Sequence, residues 1–301
     1  MTITRKINKV IKAKPTLEGA GVHLKRAFGF YETELFDPFL LLDDFRGDRP
    51  ELYQKGFPWH PHRGIETITY VLRGEVAHGD SLGNHGVIGP GDVQWMTAGS
   101  GILHQEMPKG DRDGKMYGFQ LWANLPSQEK MIDPHYQGVI DAEIPRVKQA
   151  DGTEVRVICS TFMGANGPIQ NVTIQPEYLD VMIPPHSVFS HEIPAEDTVL
   201  AYVFEGSGVF CDDPDPFAYN VESTSYFDTE RKNQLGNTSL ILFGHGDQIK
   251  VTTLENMVRF LLISGRPIRE PVAWYGPIVM NTEEELKVAF EELQKGTFIK
   301  S

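Results

Sequence analysis

The chain has 301 residues, 40% of them hydrophobic and 23% charged, the balance of a folded globular protein of one large or two smaller domains rather than of a disordered one. Its 28 basic and 41 acidic residues leave a formal charge of −13, which argues against nucleic acid as a direct ligand because a phosphate backbone is gripped by clustered Lys and Arg. The two cysteines, Cys159 and Cys211, are too few and too far apart for a disulfide framework and fit a reducing compartment.

The N-terminal stretch MTITRKINKVIKAK lacks the apolar core of a signal peptide. Its Arg5, Lys6, Lys9, Lys12 and Lys14 read as a solvated strand or arm, with a docking surface as the minority reading. Apolar runs such as Phe39 to Leu42 and Phe260 to Ile263 are far too short to span a bilayer, so a soluble, cytoplasmic protein is expected. Onward from there, 29 glycines and 20 prolines cut the chain into short segments rich in Val, Ile, Thr, Tyr and Phe, among them Thr67–Leu72, Val155–Cys159, Val199–Phe204, Ser239–Phe243 and Val258–Ile263. Many short strands separated by turn signals predict an all-β sandwich or barrel.

The clear helix is C-terminal. Thr282 and Glu285 have the spacing of a capping box, Glu283 and Glu284 place acids in the first turn, and Leu286, Ala289, Phe290 and Leu293 follow at helical spacing until Gly296 stops the helix. Its apolar face should pack on a barrel.

The two halves resemble each other weakly. YVLRGEV around Gly74 matches YVFEGSG around Gly206, and GPGDVQW around Gly91 matches GHGDQIKV around Gly246. Two related barrels account for this, divided near the polar turn Gln149–Thr153 into domains 1–145 and 146–301, with no long linker between them.

Chemistry concentrates in GFPWHPHRGIETITYVLRGEV and GDVQWMTAGSGILHQEMP. His60 and His62 are two apart, and on a strand residues i and i+2 face the same side, so both imidazoles reach one point. His104 and Glu106 repeat the spacing, with Gly99 and Gly101 just ahead to allow a tight backbone. Side by side, the two strands bring three imidazoles and a carboxylate together. Imidazole suits Fe, Zn, Cu and Ni, and a carboxylate shifts the preference toward harder ions. Glu66 is a further even step from His62 and joins the set if Arg63-Gly64 does not break the strand. Against this stands the bland reading, since a lone His-x-His pair is more often surface or core than ligand. The second pair is what raises the metal reading above it. In the second half His186 and His191 are an odd step apart and His245 stands alone, so that barrel reads as metal-free. His23, His78, His85 and His135 have no partner pattern and read as structural. Trp59, Trp95, Met96 and Met107 flank the motifs and read by default as core, with an apolar pocket as the alternative.

The order Gly-x-His-x-His, Glu, Gly, then Gly, Gly, His resembles the two motifs of the cupin superfamily. More closely, HPHRGIETITYVLRGEVAHGDSLGNHGVIGPGDVQWMTAGSGILHQEMP and the C-terminal EPVAWYGPIVMNTEEEL are similar to the signatures of the pirin family, a resemblance spanning nearly the whole chain. It implies a bicupin of two antiparallel β-barrels packed face to face with a C-terminal helix, and an iron site in the first barrel held by His60, His62, His104 and Glu106. Other divalent ions (Zn, Mn, Ni, Cu) remain alternatives. It selects Glu106 over Glu66 and leaves Glu66 either structural or supporting the ligands through hydrogen bonds.

The resemblance further implies a dioxygenase similar to quercetin 2,3-dioxygenase, with dioxygen and an aromatic, flavonol-like substrate whose central ring opens with loss of carbon monoxide. Glu106 would be the general base for the flavonol 3-hydroxyl. Pirin-like proteins are also described as transcriptional coregulators that sense the iron oxidation state, which would put a protein partner, and in a eukaryote the nucleus, in place of a substrate. A cupin with a purely structural metal is the third reading.

Overall fold

Along Ile102–Lys109 alternate residues are buried, from Ile102 through His104 and Glu106 to Pro108, which is the period of a strand with one face toward an interior. The same alternation, broken by glycine turns, recurs through the chain. The computed structural model describes residues 2–212, 215, 217–222 and 233–300. Strands dominate it, as the sequence predicts, and among the described residues no helix is long and apolar enough to cross a membrane.

Two compact units form. The first comprises residues 14–143 with 268–301, the second residues 1–13 with 144–267. The division departs from a cut at 145/146 at both ends of the chain, for reasons of strand pairing and apolar burial. Ile7–Lys12 (β1) pairs antiparallel with Ser239–Phe243 and parallel with Asn220–Glu222, so it is an interior strand of the second unit's sheet. The basic N-terminus is therefore no solvated arm throughout. Arg5 is buried and donates to the backbone carbonyls of Asp197, Gly244 and Pro194. At the other end, the hairpin Ala273–Tyr275/Ile278–Met280 and the helix Glu283–Lys295 bury Ala273, Ile278, Met280, Leu286, Ala289 and Phe298 in one cluster, against which Leu103 also packs. The helix thus ends the chain inside the first unit rather than closing the second barrel. Its capping box is as expected: Thr282 Oγ1 accepts from the Glu285 N–H at 3.2 Å, Glu285 Oε2 accepts from the Thr282 N–H at 3.0 Å, and Gly296 ends it in the left-handed region.

The first unit consists of two main antiparallel sheets and the short C-terminal hairpin. The larger sheet contains Lys14–Glu18 (β2), Val22–Phe28 (β3), Phe39–Asp44 (β4), Ile65–Arg73 (β6), Val93–Thr97 (β9), Tyr117–Asn124 (β11) and His135–Val139 (β12), in spatial order β12-β9-β6-β11-β4-β3-β2. The smaller holds Phe57–His62 (β5), Glu75–Asp80 (β7), His85–Ile88 (β8) and Ile102–Lys109 (β10), in the order β5-β10-β7-β8. Alternate residues of both sheets, such as Val22, Leu24 and Arg26 on β3 or Gln120 and Trp122 on β11, face one interior cavity of about 710 Å³. In the second unit the corresponding space is filled by Val10, Leu179, Val181, Phe189, Phe210, Phe260 and their neighbours. There His191 pairs with Glu177 at 2.8 Å and lies against the ring of Phe162, while His186 is exposed opposite Glu255 at 3.5 Å.

Candidate metal centre

β5 and β10 lie side by side and antiparallel, with His60 opposite His104 and His62 opposite Ile102. The register slips between His104 and Glu106, which stands opposite Phe57, and such an irregularity re-aims side chains without ending the pairing. Two glycines make the approach possible. Gly64, which turns the chain from β5 into β6 with φ +75°, would place a Cβ 1.9 Å from the Val279 carbonyl oxygen. Gly99, at φ +47° ahead of β10, would place one 2.1 Å from the Ile132 carbonyl oxygen. The outcome is that His60, His62 and His104 each offer a ring nitrogen, all within 4.8 Å of one another.

The donor chemistry of these imidazoles fits a cation. His60 Nδ1 lies 2.8 Å from the Pro58 carbonyl and His62 Nδ1 lies 3.0 Å from the Pro277 carbonyl. A carbonyl only accepts, so each Nδ1 carries the hydrogen and each Nε2 of the neutral ring carries a lone pair. Those two Nε2 atoms face each other at 3.1 Å, about the spacing of two nitrogens bound at right angles to one ion at ~2.1 Å. His104 is buried and neither of its ring nitrogens has a hydrogen-bond partner. Burial lowers the pKa of His60 and carries those of His62 and His104 well below the ordinary imidazole value, which keeps the rings in their metal-ligating form near neutrality.

Glu106 is buried on the same face of β10 as His104. Its Oε1 accepts from the Thr69 hydroxyl at 2.9 Å, and that hydroxyl also lies 2.8 Å from Gln120 Oε1. Burial pushes the Glu106 carboxyl up to about 7, the Thr69 hydrogen bond opposing. Its carboxylate is not among the three mutually close donors, but it lines the same cavity as His60 and His62. Glu66 is elsewhere. The turn at Gly64 resets the strand phase, and Glu66 stands an odd step from the inward-facing Thr69, hence on the other face of β6. There Thr97 donates to its Oε1 at 2.8 Å, with His135 Nε2 at 3.3 Å from the same hydroxyl.

The cavity opens beside the imidazoles and is walled by aromatic rings. Trp122 packs edge-on against His62 with centroids 5.0 Å apart and lies 5.9 Å from Trp274, which in turn meets Phe30 at 5.5 Å. Trp59 also lines it and is 53% exposed, so it is part of the rim and not core. Trp95 and Met96 are core, as the default reading has it. His78 is held by Gln94 at 2.9 Å.

Two family profiles match the chain, described as "Pirin" over residues 21–123 and "Pirin C-terminal cupin domain" over residues 178–299. A pirin-like protein of Caulobacter vibrioides is 42% identical over 98% of this chain and 99% of its own length. Human pirin is 38% identical over 96% of this chain and 92% of its own. The chain belongs to the pirin family. A crystal structure of quercetin 2,3-dioxygenase from Acinetobacter baumannii superposes with a TM-score of 0.84 at 30% identity, covering 98% of this chain and 99% of that one. The fold is accordingly the bicupin that the motifs implied.

Several residues of the cavity were not legible in the sequence motifs. Thr69 and Gln120 leave a trace in the sequence, as polar side chains inside strands otherwise rich in apolar ones, but nothing there says that they meet Glu106. Trp274 sits in the C-terminal pirin signature without a role that the sequence assigns. The Pro277 carbonyl, 215 residues from the imidazole it orients, gives no sequence signal at all.

Proposed function

We propose that the first unit binds one iron ion through His60, His62, His104 and Glu106, and that the centre opens the central ring of a flavonol or a similar enol or diol with dioxygen. The observation that carries the reading is the cavity of about 710 Å³ that adjoins His60, His62 and Glu106 and is walled by Trp122, Trp274 and Trp59. A structural metal needs no such space, whereas a planar aromatic substrate fills it and stacks on its walls. Bound iron would supply Lewis-acid and one-electron chemistry beside the cavity. Glu106, buried and held by Thr69, takes the proton of the substrate's enol hydroxyl. The aromatic walls hold the ring system flat and keep water from it. The likeness to a quercetin 2,3-dioxygenase structure supports the same chemistry.

Protein from iron-supplemented cells should carry one iron per chain by elemental analysis. His60→Ala or His104→Ala should lower metal affinity by more than the ~10–100-fold typical of losing an outer-shell partner. With quercetin the iron form should consume oxygen and release carbon monoxide, and Glu106→Gln should slow this by about 100-fold or more. Full turnover by Glu106→Gln would refute the base role, and full iron content in both histidine variants would refute the site.

A further inference from the structure

The cavity has a second polar pole that the ring-opening chemistry does not use. Arg26 on β3 lines it, with Nε and one Nη donating to the two oxygens of Asp43 at 2.9 and 2.8 Å and the other Nη reaching Glu18 Oε1 at 2.8 Å. A guanidinium has five N–H groups and these contacts use three, so two remain for a ligand. Asp43 and Glu18 also line the cavity, as does the amide of Gln120 opposite Asp43. The pole therefore presents donors and acceptors together. Its ionised groups are one cation and two carboxylates, a net charge of −1. An anionic ligand would meet repulsion there, whereas a hydroxyl, which both donates and accepts, matches it.

Its position suits one molecule reaching both ends. Arg26, Asp43, Gln120 and Thr69 stand opposite one another in register across β3, β4, β11 and β6, which is three strand spacings or at most about 14 Å. Thr69 is the residue that holds Glu106.

We propose that Arg26, braced by Asp43 and Glu18, determines substrate specificity in this cavity: it selects molecules bearing neutral hydroxyls, as in a catechol or polyol, on the part remote from the reacting enol, and rejects those bearing an acid there. The inference rests on the flavonol reading of the site.

The test is equilibrium binding to the full chain loaded with zinc, which allows no redox turnover, read by tryptophan fluorescence or calorimetry. Three probes serve: quercetin, 3-hydroxyflavone without other hydroxyls, and 3-hydroxyflavone carrying a carboxylate on its phenyl ring. Quercetin should bind about tenfold tighter than 3-hydroxyflavone, and the carboxylated probe weakest. Arg26→Met should abolish the preference for quercetin. Glu18 is partly exposed, so Glu18→Gln leaves the fold intact even where Arg26→Met does not, and it should raise affinity for the carboxylated probe by about fivefold relative to quercetin. A purely structural ion pair would move neither ratio. Equal binding of all three probes, or ratios unchanged in both variants, overturns the specificity role alone. Failure of every probe to bind overturns it together with the flavonol reading.

Discussion

At the scale of single residues, two of the three histidines are oriented by the backbone. The Nδ1 hydrogens of His60 and His62 go to the carbonyls of Pro58 and Pro277, so the orientation of these two rings is set before any ion arrives. Arg63, next in sequence to His62, extends that bracing. Fully buried, it donates to the carbonyls of Ser100 and Phe298, pairs with Glu292 at 2.8 Å and lies 4.2 Å over the Phe298 ring. Replacing it with Met strands two buried carbonyls, and Arg63→Met should cost about 3 kcal/mol by denaturant titration. Lys130 is the other buried cation here, donating to the carbonyls of Gly64 and Val279 and to Asn124 Oδ1 at 2.9, 3.1 and 2.7 Å. Burial pushes its pKa down from 10.5 to about 7, with Glu270 and Glu285 opposing. Between those two values the unfolded chain binds the extra proton, so this group makes stability rise with pH across that window and adds no slope below or above it. Lys130→Met should flatten the stability difference between pH 7 and pH 10 relative to the parent chain. An unchanged slope by denaturation at several pH values would contradict the assignment.

Among the elements, β5 and β10 carry two candidate ligands each, and β10 is the one held on both sides. It sits between β5 and β7, which fixes its register on both sides, and its inward face delivers His104 and Glu106. The C-terminal hairpin and helix matter almost as much, although none of their side chains is a candidate ligand. They bring the Pro277 carbonyl to His62, the Val279 carbonyl to Lys130 and the Phe298 carbonyl to Arg63. The helix depends on its cap, and Thr282→Ala should lower stability by about 1 kcal/mol in a thermal or denaturant melt. Deleting residues 283–301 removes Glu292 and Phe298, two of the three Arg63 partners, while sparing all four candidate ligands. Metal affinity should still fall by about 10-fold or more, measured by competition with a chelator.

For the molecule as a whole, each unit is completed by chain from the opposite end of the sequence. β1 lies within the second unit's sheet, and residues 268–301 belong to the first unit. A fragment cut at the polar turn therefore lacks part of one core and carries a strand from the other. Residues 1–145 alone should retain the motifs HPH and HQE yet bind metal far more weakly than the full chain, with a broad melt by circular dichroism. Adding residues 268–301 in trans or by fusion should restore part of both. A fragment binding metal as tightly as the whole would show that the C-terminal segment contributes nothing to the site.

What could be read from the sequence alone was what depends on local periodicity. Period-2 spacing places His60 with His62 and His104 with Glu106, glycine turns mark the strand ends, and Thr282, Glu285 and Gly296 write out the helix. Those patterns are legible because each is settled within a few residues of backbone geometry. The tertiary structure decided what depends on contacts between distant segments. It turned Glu66 away, because the phase of β6 is reset at Gly64, a turn whose form answers to the Val279 backbone packed against it. It made Arg5 a buried anchor, because β1 pairs with strands more than 200 residues away. It also assembled Arg26, Asp43, Gln120 and Thr69 into one polar row, since cross-strand neighbours are set by sheet order, which no local pattern encodes.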